Sequence, residues 1–257
     1  MQSKRHDGSG KWLLQHKQFC IWHDSTKLTA NNARILLCYG IPGSGKTIIR
    51  CLKSGWIIVV HWLTLSYSSV VIDHLISRHG EKHVAYIYGD YRDQPNQTLV
   101  NIIGSLLKQL LTVNISNVPD AVISLLESTQ EEGKRLGKRH MLQIVKSAVP
   151  QLNGPSFLCI DALDELEPRV RHELLKVLQS EFVHSRIFLT GRPHIRSEVS
   201  SVFQAHHDPI NITADLGDVR AYLIHEIELD MEVNPEDMNG QLKEEILEAI
   251  INQAKGM

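Results

Sequence analysis

Apolar residues along this chain fall into two rhythms. Residues 35–39 ("ILLCY"), 84–88 ("VAYIY"), 157–160 and 187–190 are short runs without polar alternation, the pattern of a strand buried on both faces. Residues 210–212 form a shorter fifth run. Between them the apolar positions recur at helical spacing: strongly over 99–111 ("LVNIIGSLLKQLL"), clearly over 12–22, 169–182 and 195–203, and weakly over 120–127 and 141–149. "DVRAYLIHEIEL" and "LKEEILEAIINQA" add two helices around a Pro235 loop. Strands alternating with helices predict right-handed crossovers and a parallel sheet covered on both faces. The expected fold is therefore α/β, three layers with a mostly parallel sheet of about five strands, followed by the start of a C-terminal helical domain.

One run breaks the rhythm. Residues 51–68 ("CLKSGWIIVVHWLTLSYS") separate two half-helices by about eighteen residues where short connections are the norm. The codons of Arg50–Cys51, Leu63–Thr64 and Tyr67–Ser68 can supply a splice donor, branch point and acceptor. Excision keeps the frame, fuses the remains of codons 50 and 68 into one serine or arginine, and through it joins "GKTII" to "SVVIDHL", one amphipathic helix with Ile48, Ile49, Val71, Ile72 and Leu75 on its sheet side. Residues 51–68 are thus expected to be translated intron, the alternative being a genuine insertion hairpin. If translated, the segment leaves a short helix after Thr47 and an aggregation-prone "WIIVVHWL".

Composition excludes several classes. The 257 residues are 42% hydrophobic and 22% charged, with a formal net charge of -2, so no overall field draws the chain to nucleic acid or an anionic membrane. A nucleic-acid partner is not expected. The four cysteines form no CxxC pair, and Cys38 and Cys159 lie inside strand-like runs, which suits a reducing cytoplasm. The fourteen histidines have no HExxH spacing. The polar start "MQSKRHDGSG" is not a secretory signal, and no apolar run is long enough to span a membrane.

Chemistry enters at "GIPGSGKT", Gly40 to Thr47, which fits GxxxxGK[ST] at every fixed position after a buried strand and before a helix-capable stretch. Gly40, Gly43 and Gly45 allow the sharp turn, and with Ser44 the loop amides turn inward around phosphate oxygens. The following helix adds unpaired N–H donors and its positive dipole end. Lys46 reaches the outer phosphates, and the Thr47 hydroxyl ligates Mg²⁺. "GSGK" at residues 8–11 repeats the tail of this loop but lacks a preceding strand and the hydroxyl residue, and is rejected.

Two further elements match. In "FLCIDALDE", Asp161 closes an apolar run and would emerge at the C-terminal sheet edge, where open α/β sheets bind ligands, as a metal-linked acid. Asp164 and Glu165 follow within one turn. One of them is expected to polarise the attacking water and the other to serve the outer shell of the metal. In "IFLTGRP" a strand expected beside the acidic one ends in Thr190, and Arg192 follows as a sensor or stabiliser of the terminal phosphate.

Together these segments resemble the NACHT class of STAND P-loop NTPases, and within it the nephrocystin-type N-terminal domain of fungal NLR-like and ankyrin-repeat proteins. "GSGKWLL", "CYGIPGSGKT", "VAYIYGDYRDQ", "GSLLKQLL", "CIDALDEL" and "FLTGRPHI" carry the likeness over nearly the whole chain, with Gly191 standing where that group usually has serine. The resemblance implies binding of ATP or GTP with Mg²⁺, slow hydrolysis, and a switch between closed and self-assembling states. Partners implied are the nucleotide, a homo-oligomer through the NTPase domain, and ligand-sensing repeats in the full-length protein. It implies a lead-in helix within 1–30, an NTPase domain over 31–215 containing the 51–68 insertion, and a helical domain begun at 216–257, where the chain is expected to be truncated. Two other readings fit the residues: a small-molecule kinase with 134–139 as a basic lid, and a non-catalytic scaffold remnant.

Overall fold

The apolar runs become strands, fully buried in the middle of the sheet and partly exposed in β2, where Tyr86 reaches solvent. A computed structural model describes residues 11–24, 34–40, 61–111, 136–152, 154–204, 209–212 and 240–255, with single positions between them. It contains β1 (Ile35–Gly40), β2 (Val84–Tyr88), β3 (Ser156–Asp161), β4 (Ser185–Gly191) and β5 (Ile210–Ile212) in one sheet of order β2-β3-β4-β1-β5. The pairings β2–β3, β3–β4 and β4–β1 are parallel. Every residue of β3 is buried, and β4 is buried up to Thr190, as continuous apolar runs demand.

The helices follow the sequence pattern with local adjustments. They are α1 (Lys11–Gln15), α2 (Lys17–Asp24), α3 (His61–His79), α4 (Leu99–Leu111), α5 (Lys138–Ala148), α6 (Pro168–Ser180), α7 (Arg196–Phe203) and α8 (Gly240–Lys255). The stretch read as one helix over 12–22 is two, because the chain bends at His16, whose N–H bonds Leu13 three residues back. In α4, Leu99, Ile102, Ile103, Leu106, Leu107 and Leu110 form one buried stripe, and the Thr98 hydroxyl caps the Asn101 N–H at 3.3 Å. Pro168 opens α6 at a position where its missing N–H is no loss.

The chain divides into two compact units. The first comprises residues 1–16, 40–70 and 211–257. Within it, Lys243 of α8 bonds Glu228 at 3.3 Å, and Leu247 is buried. The second comprises residues 17–39 and 71–210 and holds the main core. There the sheet residues Leu37, Leu158, Ile160, Ile187 and Leu189 share one cluster with buried residues of α4, α5, α6 and α7. On the other sheet face, Trp22 of α2 meets Phe157 and Phe188 edge-on or tilted, at 5.7 and 6.2 Å between ring centres. Helices on both faces make this a three-layer α/β/α sandwich, as the alternation predicts. Of the segment 51–68, residues 51–60 lie outside the described residues, and 61–68 form the first part of α3. Val71, Ile72 and Leu75, expected to face the sheet, are buried. Among the described residues no helix is long and apolar enough to cross a membrane.

Candidate functional site

The parallel register fixes which strand ends share an edge. Tyr39 stands opposite Gly191, Tyr88 opposite Asp161, and Ile160 opposite Leu189. The C-terminal ends of β1, β2, β3 and β4 therefore meet on one side of the sheet. β4 lies between β1 and β3, so the residues after β4 stand between the other two ends.

Asp161 sits at that edge with only 5% of its surface exposed. A buried carboxylate requires hydrogen-bond partners. One comes from the neighbouring strand: the Thr190 hydroxyl donates to Asp161 Oδ1. The same Thr190 oxygen accepts the Ala162 N–H at 3.0 Å. One hydroxyl thus ties the acid and the next backbone amide to β4. The charge on Asp161 is felt nearby. Burial first, and this carboxylate second, push the Tyr88 phenol up to about 12 and raise the Cys38 and Cys159 thiols, which are inert packing groups.

After Asp161 the chain must turn at once. Ala162 does so in the left-handed region, with φ 51° and ψ 45°. This conformation costs a non-glycine residue roughly 1–2 kcal/mol. A 3₁₀ turn over Leu163–Glu165 follows, closed by the Glu165 N–H on the Ala162 carbonyl at 2.9 Å. Directly after β2, the Gly89 N–H donates to the Asp161 carbonyl at 2.8 Å. A Cβ at Gly89 would lie 2.3 Å from the Ala162 carbonyl oxygen, so only glycine fits this approach.

The structure brings Asp164, Glu165 and Arg192 together at this edge. Asp164 is 6% exposed at its side chain and engages Arg192 twice: Nε lies 3.0 Å from Oδ2, and the Arg192 backbone N–H donates to Oδ1 at 3.1 Å. Both carboxylate oxygens of Asp164 thus hold the segment after β4. Glu165 Oε2 accepts the Tyr91 N–H at 3.4 Å. The turn bearing Tyr91 is itself clamped, since the Gln97 amide donates to the Tyr88 carbonyl and accepts the Asp90 N–H, each at 3.1 Å. Gly191, at the serine position of the resembling family, has no room to spare. A Cβ there would lie 2.7 Å from Ile195 Cδ1 and 3.3 Å from Asp164 Oδ1.

Gly40 is the last residue of β1. Gly43, Ser44, Gly45, Lys46 and Thr47 lie outside the described residues. Two residues that build this edge carried no role in the sequence reading, Thr190 as a ligand of Asp161 and Gly89 as its backbone partner. Their signals were present: a hydroxyl closing one apolar run beside an acid closing another, and a glycine directly after "VAYIY".

A family model described as nephrocystin 3, N-terminal, matches residues 8–52 and 66–192. The unmatched interval falls inside 51–68. No curated protein sequence matches the chain. Among solved structures, the Aeropyrum pernix Orc1 protein in complex with DNA is similar, with a TM-score of 0.46 and 15% identity over 85% of this chain and 48% of that one. The chain thus spans about half the length of that protein. The exclusion of nucleic acid made from the sequence does not stand; the similar structure is a complex with DNA. The exclusion rested on a formal net charge of -2, and a whole-chain balance does not describe any local surface.

Proposed function

The chain belongs to the nephrocystin-3 N-terminal family, and from that premise we propose that it is a nucleotide-binding switch module of the NACHT/STAND type that hydrolyses ATP or GTP slowly. The observation that carries the reading is Asp161, a buried carboxylate bonded by Thr190, at the sheet edge to which β1 leads before "GIPGSGKT".

In this reading Gly40, Gly43, Ser44 and Gly45 shape the loop whose amides receive phosphate oxygens, and Lys46 binds the outer phosphates. Thr47 and Asp161 would hold Mg²⁺. Both are hard oxygen donors, and Mg²⁺ commonly takes one or two protein oxygens and completes its shell with waters and phosphates. The ion supplies charge neutralisation at the phosphates. Glu165 is the group proposed to accept a proton from the attacking water. Asp164 is proposed to act through Arg192, holding that guanidinium toward the position of the terminal phosphate. The cytoplasm is the proposed location. The segment 51–68 is proposed to be absent from the working protein, a reading supported by the gap in the family match and tested by sequencing the transcript.

The experiment is equilibrium binding of labelled ATP and GTP with Mg²⁺, to the chain with and without residues 51–68, against Lys46→Ala. The variant is expected to lose at least about tenfold in affinity, on the order of 1.4 kcal/mol. Equal binding by Lys46→Ala would remove the phosphate loop from the site.

A further inference from the structure

At the opposite end of β3 from Asp161, and within the second unit, α2 is fastened to α3 and β3 through imidazoles. His23 Nε2 lies 3.0 Å from His79 Nε2, and the ring centres are 5.1 Å apart. The His74 ring is 5.2 Å from that of His23. His23 stacks on Phe19 with 10° between planes, and His79 packs on Phe157 at 4.6 Å. His23 Nδ1 lies 2.5 Å from Asp24 Oδ1. These contacts seat Trp22, whose indole N–H donates to the Arg34 carbonyl at 3.1 Å.

The gap between two ring nitrogens has room for one proton. One nitrogen must donate and the other must accept. A proton more sets N–H against N–H. The surroundings do not offset that charge. Arg186 donates its guanidinium to the carbonyls of Trp22 and His23, Arg78 and His74 stand on α3, and His83 follows α3. The nearby acid is Asp24, whose side chain is largely exposed. Burial first, then these neighbouring cations, hold His74 and His79 below the usual imidazole range.

We propose that His23, His74 and His79 form a proton-operated latch: taking up a second proton at the His23–His79 pair releases α2 and uncovers the sheet face at Phe157 and Phe188. Trp22 leaves with the helix, because the Arg186 bonds to its carbonyl hold only while α2 is seated.

The test is hydrogen exchange of the full chain, followed by mass spectrometry from pH 7.5 to 5.5 and corrected for intrinsic rates. Exchange within 17–24 is expected to accelerate toward about tenfold per pH unit for each linked proton below pH 6.5, while residues 156–161 and 185–191 stay protected. The double variant His23→Gln, His79→Gln keeps a neutral amide hydrogen bond at the gap and is expected to be flat. His74→Gln, which leaves the pair intact, is expected to move release to lower pH. A flat wild-type profile would overturn the latch, as would an unchanged rise in the double variant. Exchange of the strands at the same rate as α2, so that both regions open in one event, would also overturn it, since that reports global unfolding.

Discussion

Replacing Thr190 with valine tests the construction of the site edge without touching its charge. The two side chains are nearly isosteric, so packing is retained while the hydroxyl is lost. Two bonds go with it: the donation to Asp161 and the acceptance of the Ala162 N–H. A hydrogen bond to a charged group contributes roughly 1.5–3 kcal/mol, and an amide left without a partner costs roughly 1–3 kcal/mol. Because one oxygen serves both, the losses are coupled, and a total of about 3 kcal/mol is expected rather than their sum. At roughly 2–4 °C per kcal/mol for a domain of this size, the unfolding midpoint should fall by about 6–12 °C. Thr190→Ser keeps the hydroxyl, removes one methyl and should lose about 1 kcal/mol. Urea denaturation of the three proteins at pH 7.5 measures the difference. If Thr190→Val is as stable as the parent, or if serine is the worse of the two, the hydroxyl does not hold this edge.

Three further outcomes follow from the same geometry. Gly89→Ala places a Cβ 2.3 Å from a backbone oxygen that cannot swing aside, so a loss of about 1–3 kcal/mol is expected by denaturation. Asp164→Asn removes the charge that holds Arg192; with Arg192 40% exposed, about 1–2 kcal/mol of stability should go, and in the proposed enzyme kcat should fall more than nucleotide affinity. Global stability should also decline on acidification. His74, His79 and His83 are held below their ordinary pKa, so the unfolded chain binds protons first. Their contribution is complete above pH 6.5 and is lost as pH falls through 6.5 toward the folded values, by less than about 1.4 kcal/mol per pH unit for each linked proton, which urea titrations at pH 7.5 and 5.5 would measure.

Much of the architecture is written locally. The run 84–88 is β2 to the residue, and 99–111 is α4, because a short unbroken apolar run and a one-sided apolar stripe favour strand and helix; that β2 lies at the sheet edge with Tyr86 exposed was not legible. The split at His16 was not legible, since "WLLQHKQFCIW" keeps its helical spacing across the bend. At the site, the types and order of Asp161, Asp164, Glu165 and Arg192 were visible, but their division of labour was not. Spacing cannot tell that both oxygens of Asp164 face Arg192, because that pairing crosses from one strand end to the next. For the same reason Thr190 read only as the end of a strand.

Strand order explains why such cross-strand pairs matter here. Because β4 separates β1 from β3, the ends of those two strands are two spacings apart, about 9–10 Å. No single side chain from β1 reaches Asp161 directly over that distance. A site drawing on both ends needs something to fill the interval, and the end of β4 with the residue after it supplies Thr190, Gly191 and Arg192 there in succession. Thr190 turns toward β3 and fixes Asp161, while Arg192 is drawn to the turn after β3 by Asp164. The middle strand is therefore a strut that sets both acids relative to the edge where β1 ends. A change at Thr190 or Arg192 should then disturb Asp161 and Asp164 more than the β1 end, a direction that a site built from adjacent strands would not show.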